Sequence, residues 1–305
     1  MRARIGSLLA AMVSLGFMGV LPLAAESAPP QRLPSAVLIY PLVVVESGGS
    51  VRDTRVELVN LSRRATDVSC FYVDGDACFE IGFFVRLTAN QPVSWLASEG
   101  LINYGARFSV PPFNGTGELK CVVEPSEPTV EAHNAIQGRA IVFGADGQTM
   151  GYGAVAFQRI SDGEFSGAVE LDGSMYARCP DEMHFAFVAS KTESDSEIVL
   201  APCTEDLENQ VGGSATVQFT VYNEFEDQLS ASVNVDCYSR RSLHKIGNVF
   251  RRDTLGTETG HVVVRGVQMP VLAMLIDRFT PDLAPVAAAN EPALRGGRAA
   301  GIRFP

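Results

Sequence analysis

The sequence predicts an all-β chain: two tandem antiparallel β-sandwich-like domains behind an export signal, followed by a disordered C-terminal tail. Three observations predict it. Apolar residues alternate with polar ones in short runs bounded by Gly, Asp, Asn and Pro. The runs recur in the same order in the second half of the chain. All six cysteines lie beyond the N-terminal apolar segment.

The first element is the export signal. Arg2 and Arg4 precede the uncharged apolar stretch Ile5 to Val20, and Leu23-Ala24-Ala25 offers small residues for cleavage,. Pro22 and this small-residue exit favour cleavage after Ala25 over a retained anchor, although the apolar run approaches spanning length,. No cysteine stands at the cleavage site to carry a lipid, and no later stretch is long and apolar enough to cross a bilayer. The expectation is a secreted, periplasmic or cell-envelope protein with no membrane span once the signal is removed. Cleavage would remove Arg2 and Arg4 and leave 22 Lys+Arg against 35 Asp+Glu, a formal charge of −13. Such a surface repels nucleic acid and anionic membranes, because phosphate binding needs clustered cations.

Strands come next. In Thr54-Arg55-Val56-Glu57-Leu58-Val59 polar and apolar residues alternate, as in a strand with one face in water,. Residues 36–45, 66–73, 83–88, 139–143 and 153–158 read similarly,. Val37-Leu38-Ile39-Tyr40-Pro41 is echoed by Ile198-Val199-Leu200-Ala201-Pro202. Residues 54–60, continuing into 68–72, are echoed by 217–223, continuing into 233–237. Residues 138–144, followed by 153–158, are echoed by 260–266, followed by 271–277. A preserved order of blocks is the signature of a duplicated unit. It places domain 1 at residues 34–165 and domain 2 at 180–280, joined by the Gly- and Asp-containing stretch 161–180. Residues 281–305 are rich in Pro, Ala, Gly and Arg, with little to bury, and read as a disordered tail,.

An even number of cysteines in an exported chain implies three structural disulfides, and there is no C-x-x-C to suggest zinc or a redox site,. The preferred pairing joins Cys203 to Cys237 and Cys70 to Cys78, leaving Cys121 for Cys179.

Residues that could carry chemistry are few. Asp74, Asp76 and Glu80 follow a strand in one loop and could offer oxygens to Ca2+, although the spacing is not that of an EF-hand and Cys78 sits inside the loop,. Asn223-Glu224-Phe225-Glu226-Asp227 reads as a solvated acidic turn. His133, His184, His244 and His261 show no ligand spacing, and no G-x-S-x-G turn announces a nucleophile,. Trp95, with Tyr104, Phe108 and Phe113 nearby in sequence, could form a stacking platform for sugar, against the simpler reading of a core filler,.

Several stretches resemble a group of uncharacterised exported bacterial proteins. They are residues 54–60, Cys70-Phe71-Tyr72-Val73, Gln91-Pro92-Val93-Ser94-Trp95, Gly117-Glu118-Leu119-Lys120-Cys121-Val122-Val123 and Tyr222-Asn223-Glu224-Phe225-Glu226. The resemblance spans most of residues 37–280 and implies an envelope or secreted setting without an assigned activity. At fold level the halves also resemble immunoglobulin-like or fibronectin-type sandwiches, an analogy that fixes no function. The leading expectation is a non-catalytic structural, adhesion or binding protein with a protein or glycan partner of the cell envelope. A carbohydrate- or calcium-dependent ligand-binding module is the first alternative, and an envelope hydrolase with a dispersed site is the second.

Overall fold

The computed structural model describes residues 33–46, 52–102, 109–124, 127–144, 149–164, 166–192, 194–279, 286–290 and 292–304. The expected signal, residues 1–25, lies outside the described residues. The chain is all-β, 62% strand and 6% helix, and among the described residues no helix is long and apolar enough to cross a membrane.

The strands fall into small sheets. The first orders β11 (Val155–Phe157), β1 (Val37–Val45), β8 (Gly115–Glu124), β3 (Thr66–Asp74) and β4 (Glu80–Leu87). The second orders β10 (Thr149–Gly153), β9 (Ile136–Phe143), β2 (Asp53–Asn60) and β5 (Pro92–Leu96). A third, short sheet orders β12 (Ala168–Glu170), β23 (Gly301–Arg303) and β15 (Glu205–Asp206). The fourth orders β17 (Gln228–Asp236), β16 (Ser214–Asn223), β19 (Thr259–Gly266), β13 (Glu182–Val188) and β22 (Ala293–Arg295). The fifth orders β18 (Ser239–Ser242), β14 (Ser194–Pro202), β20 (Val271–Phe279) and β21 (Val286–Asn290). A ribbon of β6 (Leu101–Ile102) and β7 (Ser109–Val110) completes the set.

This overturns the expectation of two tandem β-sandwich domains: the small sheets form a five-blade β-propeller. The blades are not sequential meanders, since β1 pairs with both β8 and β11. The physical reason for the correction lies in burial. An outer sheet of a free-standing sandwich has one wet face and alternates along its strands. Instead, Val37 to Val44 are buried without interruption in β1, as are Val271 to Asp277 in β20. Both faces of these strands are covered.

Three cores result. One face of the first sheet, with Leu38, Tyr40, Tyr72 and Leu119, packs on Val56, Leu58, Trp95 and Ala140 of the second. Its reverse face, with Ile39, Phe71 and Val122, shares a core with Val199, Leu272 and Met274 of the fifth sheet. The reverse face of that fifth sheet, with Ile198, Leu200 and Leu275, packs on Phe185, Phe219 and Val262 of the fourth. The two halves of the chain are therefore joined through a common interior.

The tail is corrected as well. It is not disordered at 286–290 or 292–304, where β21 pairs with β20, β22 with β13, and β23 lies between β12 and β15. Ile302 is fully buried and Phe304 is buried against Phe71. Polar composition concealed this, because few apolar side chains are needed when backbone pairing and Arg298, which donates to the carbonyls of Gly266, Val267 and Gln268, fix the segment.

The internal echo has a partial structural counterpart. β2 pairs with β9 as β16 pairs with β19, and β1 pairs with β11 as β14 pairs with β20. The third block differs: β3 joins the sheet of β1, whereas β17 joins its own predecessor β16.

Candidate functional site

The β16–β17 hairpin carries Phe225, the most exposed large hydrophobic side chain among the described residues. Ala215, Val217, Phe219 and Val221 alternate inward from β16 and pin the hairpin to the fourth sheet's core. Register runs without a break from Ser214↔Asp236 to Tyr222↔Gln228, so the tip is Asn223 to Asp227. Asn223 organises that tip. Its Oδ1 accepts from the amides of Phe225 and Asp227, each at 2.9 Å, and its Nδ2 donates to the Leu255 carbonyl at 3.0 Å. Glu226 adopts a left-handed backbone (φ 66°), and Glu224 accepts from the Thr259 hydroxyl at 2.8 Å. Phe225 is left 73% exposed on this fixed turn, between two acids.

Beside the tip, β17 ends its sheet, and among the described residues β16 is its one hydrogen-bonded neighbour. Proteins usually blunt such an edge with lysine, proline or a bulge. From Gln228 to Val235, β17 contains none of these, and its register is unbroken. Among the described residues nothing pairs with the outer edge of β17, and such an edge next to an exposed aromatic on a fixed turn can accept an extended segment and anchor it,.

The residues singled out in the sequence are arranged otherwise. Trp95 is 3% exposed, and its indole N–H donates to the Tyr72 hydroxyl at 2.6 Å. Phe113 is equally buried and stacks on Tyr72 at 4.9 Å. The sugar-platform reading of Trp95 and Phe113 is corrected to core filling, while Tyr104 and Phe108 lie outside the described residues. Asp74 Oδ1 is taken up by the amides of Asp76 and Ala77, at 3.0 and 2.6 Å, and Glu80 Oε1 by Gln210 Nε2 at 3.0 Å. The Asp74 and Glu80 carboxylates thus serve turn and side-chain contacts, and Asp76 joins the turn through its amide. Among the described residues no group of three or more His, Cys, Asp or Glu is placed to hold a metal ion.

Four cysteines form disulfides, but with different partners from those expected. Cys70 joins Cys121, directly opposite it across β3 and β8, and Cys179 joins Cys203. The expected Cys70–Cys78, Cys203–Cys237 and Cys121–Cys179 bridges are all corrected: for Cys70 cross-strand register outweighs nearness in sequence, while Cys179 and Cys203 meet outside the strands. Cys78 and Cys237 remain as thiols.

The fold also assembles groups that spacing did not reveal. Ser190 Oγ and Asp195 Oδ1 both face His244 Nδ1, at 3.3 and 3.0 Å. A catalytic relay needs the two partners on opposite ring nitrogens, so this trio is not arranged as one. His184 and His261 stack at 5.3 Å between ring centroids, with Tyr222 on the far side of His261. Burial, then His184, lowers the His261 pKa.

The largest departure lies at the seam between the halves. Lys120 is fully buried, with its ammonium bonded to Glu118 Oε1 at 2.6 Å and to Glu205 of the second half. Burial pushes the Glu205 carboxyl up to about 8 against the attraction of Lys120, while burial opposes the charge on Lys120 and the attraction of Glu118 and Glu205 outweighs it, raising the Lys120 pKa. The available signal was a lysine interrupting Leu119 to Val123, two residues from Glu118 and so on the same strand face,. Above the seam, a cleft of about 490 Å3 is lined by Arg52, Arg240 and Arg241 with Glu46 and Glu197. Its arginines are partly committed, since Arg240 binds Glu197 at 2.6 Å and approaches Glu46 at 3.5 Å.

The chain matches no family model, no curated protein and no solved structure.

Proposed function

We propose that the protein is a non-catalytic exported binding protein that engages an extended segment of an envelope protein along β17, with Phe225 as the anchor. The observation that carries this reading is the pairing of an undefended edge strand with an aromatic side chain 73% exposed on a turn fixed by Asn223. Strand addition draws affinity from backbone hydrogen bonds, and a fixed aromatic adds contact area at small entropic cost. The acidic flanks, Glu224, Glu226 and Asp227, favour a partner with basic residues beside its extended segment,. Two disulfides support an oxidising compartment,.

The test is photo-cross-linking from position 225 in envelope extracts, repeated in a Ser230→Lys, Ser232→Lys variant. Both serines are exposed on β17, and lysine there charges the edge without entering the core,. The expected result is one discrete adduct that the variant loses. No adduct, or one indifferent to the lysines, would reject the reading.

A further inference from the structure

We propose that Cys78 and Cys237 form a third disulfide, tying the β3–β4 turn of the first half to the segment after β17 in the second. Four observations carry this. The two thiols remain after Cys70–Cys121 and Cys179–Cys203 have formed. Both gather around one carbonyl: the Cys78 amide donates to the Asp74 oxygen at 3.0 Å, and Cys237 Sγ donates to the same oxygen at 3.7 Å. Cys237 belongs to the core against which the Cys78 side chain packs. Both residues hold a left-handed backbone, φ 61° for Cys78 and 63° for Cys237.

A left-handed backbone is uncommon for a residue with a Cβ, and it persists where the surroundings impose it. Here it occurs at both members of one pair, contributed by opposite halves of the chain. Room for Cys237 also depends on Gly212, where an added Cβ would stand 2.6 Å from the Cys237 Cβ. Cys78 and Cys237 thus reach the same Asp74 carbonyl from opposite halves of the chain.

The chemistry balances as thiol–disulfide exchange with a small disulfide oxidant such as oxidised glutathione. Cys78, the more exposed of the two, attacks one oxidant sulfur as its thiolate and releases one thiol in a mixed disulfide,. Cys237 then gives up its proton, attacks the Cys78 sulfur and displaces the second thiol. One oxidant disulfide is reduced to two thiols while two protein thiols become one disulfide. Burial, contact with Cys78 and the nearby acids Glu205 and Glu118 all raise the Cys237 thiol pKa, which leaves the opening attack to Cys78.

The experiment is peptide mapping of the full chain, purified without reductant, incubated with oxidised glutathione, alkylated and digested. The expected product is a linked peptide pair containing Cys78 and Cys237, with neither residue alkylated. Cys78→Ser should leave Cys237 alkylatable after unfolding and the other two bridges intact. Recovery of both Cys78 and Cys237 as alkylated residues beside intact Cys70–Cys121 and Cys179–Cys203 overturns the proposal. So does either residue bridged to a different cysteine. The map of the unsubstituted chain decides the matter even where Cys78→Ser fails to fold.

Discussion

The ammonium of Lys120, on β8 in the first half, is hydrogen-bonded to the carboxyl of Glu205, on β15 in the second, and neither side chain is exposed to solvent. Glu118 supplies the second acidic contact, also fully buried. Two carboxyls around one ammonium are one negative charge too many for a dry interior, so the neutral arrangement keeps a proton on one of them.

That arrangement fixes the sign of a pH effect. The Glu205 carboxyl rises from 4.5 to about 8 in the folded protein. Between these values the folded state holds a proton that the unfolded state has lost, so stability declines as pH rises through the window. The limiting slope for one proton is about 1.4 kcal/mol per pH unit. Chemical denaturation between pH 5 and pH 8 measures it (roughly the window over which one such proton is released). Glu205→Gln should flatten the decline and remain folded. Lys120→Met should cost about 3–5 kcal/mol, because it orphans two buried acids. A Glu205→Gln protein with the same slope as the parent would contradict the assignment.

A second group acts in the opposite direction. His133 is buried, and burial with the neighbouring Arg159 charge lowers its pKa from 6.5 to about 4. Arg159 Nη1 donates to His133 Nε2 at 2.8 Å, which requires a lone pair on that nitrogen and hence a neutral ring,. On acidification the unfolded chain takes up the proton first, so stability is lost as pH falls from about 6.5 towards 4,. His133→Gln retains a hydrogen-bond acceptor and should remove that part of the acid limb. Thermal melting across the acid range measures the difference.

Strands were legible because each carries its own pattern: β2 and β16 alternate as expected for sheets wet on one side. Their assembly was not. The buried run in β1 is compatible with a short strand in any two-faced core, and nothing local says that its second face meets β14,. The cysteine pairs follow the same logic, since Cys70 meets Cys121 through register between β3 and β8, a non-local property. The acidic turn at Asn223 to Asp227 was visible as a turn, but its fixed backbone and the exposure of Phe225 depend on Leu255 and Thr259, which are distant in sequence. Lys120 was visible as an anomaly whose partner, Glu205, lies in the other half.

Close packing makes a prediction at Gly138. A Cβ there would lie 1.8 Å from the Tyr40 hydroxyl oxygen and 3.0 Å from the Glu57 carbonyl oxygen. Tyr40 is fully buried and donates to that same carbonyl at 3.0 Å, so it cannot withdraw without breaking the bond. Gly138→Ala should therefore destabilise the fold by roughly 1–3 kcal/mol or more, the range for overpacking a core. Gly153 is the control: a Cβ there meets nothing within 4 Å, and Gly153→Ala should change the unfolding midpoint little. Equal effects of the two substitutions would show that the Tyr40–Glu57 contact can relax.

Trp95 yields a prediction that separates core filler from ligand platform. Its ring stands edge-on to Phe83 with centroids 6.0 Å apart, and its N–H is taken by the Tyr72 hydroxyl. A shielded indole emits at short wavelength and resists aqueous quenchers, so Trp95 fluorescence should be blue-shifted and little quenched by acrylamide. Adding glycans or Ca2+ should leave it unchanged. Trp95→Phe keeps an aromatic ring but leaves the buried Tyr72 hydroxyl without that donor, at a cost of about 1–3 kcal/mol. Strong acrylamide quenching, or a saturable shift on adding a glycan, would place Trp95 at an accessible surface and return the ligand-platform reading to contention.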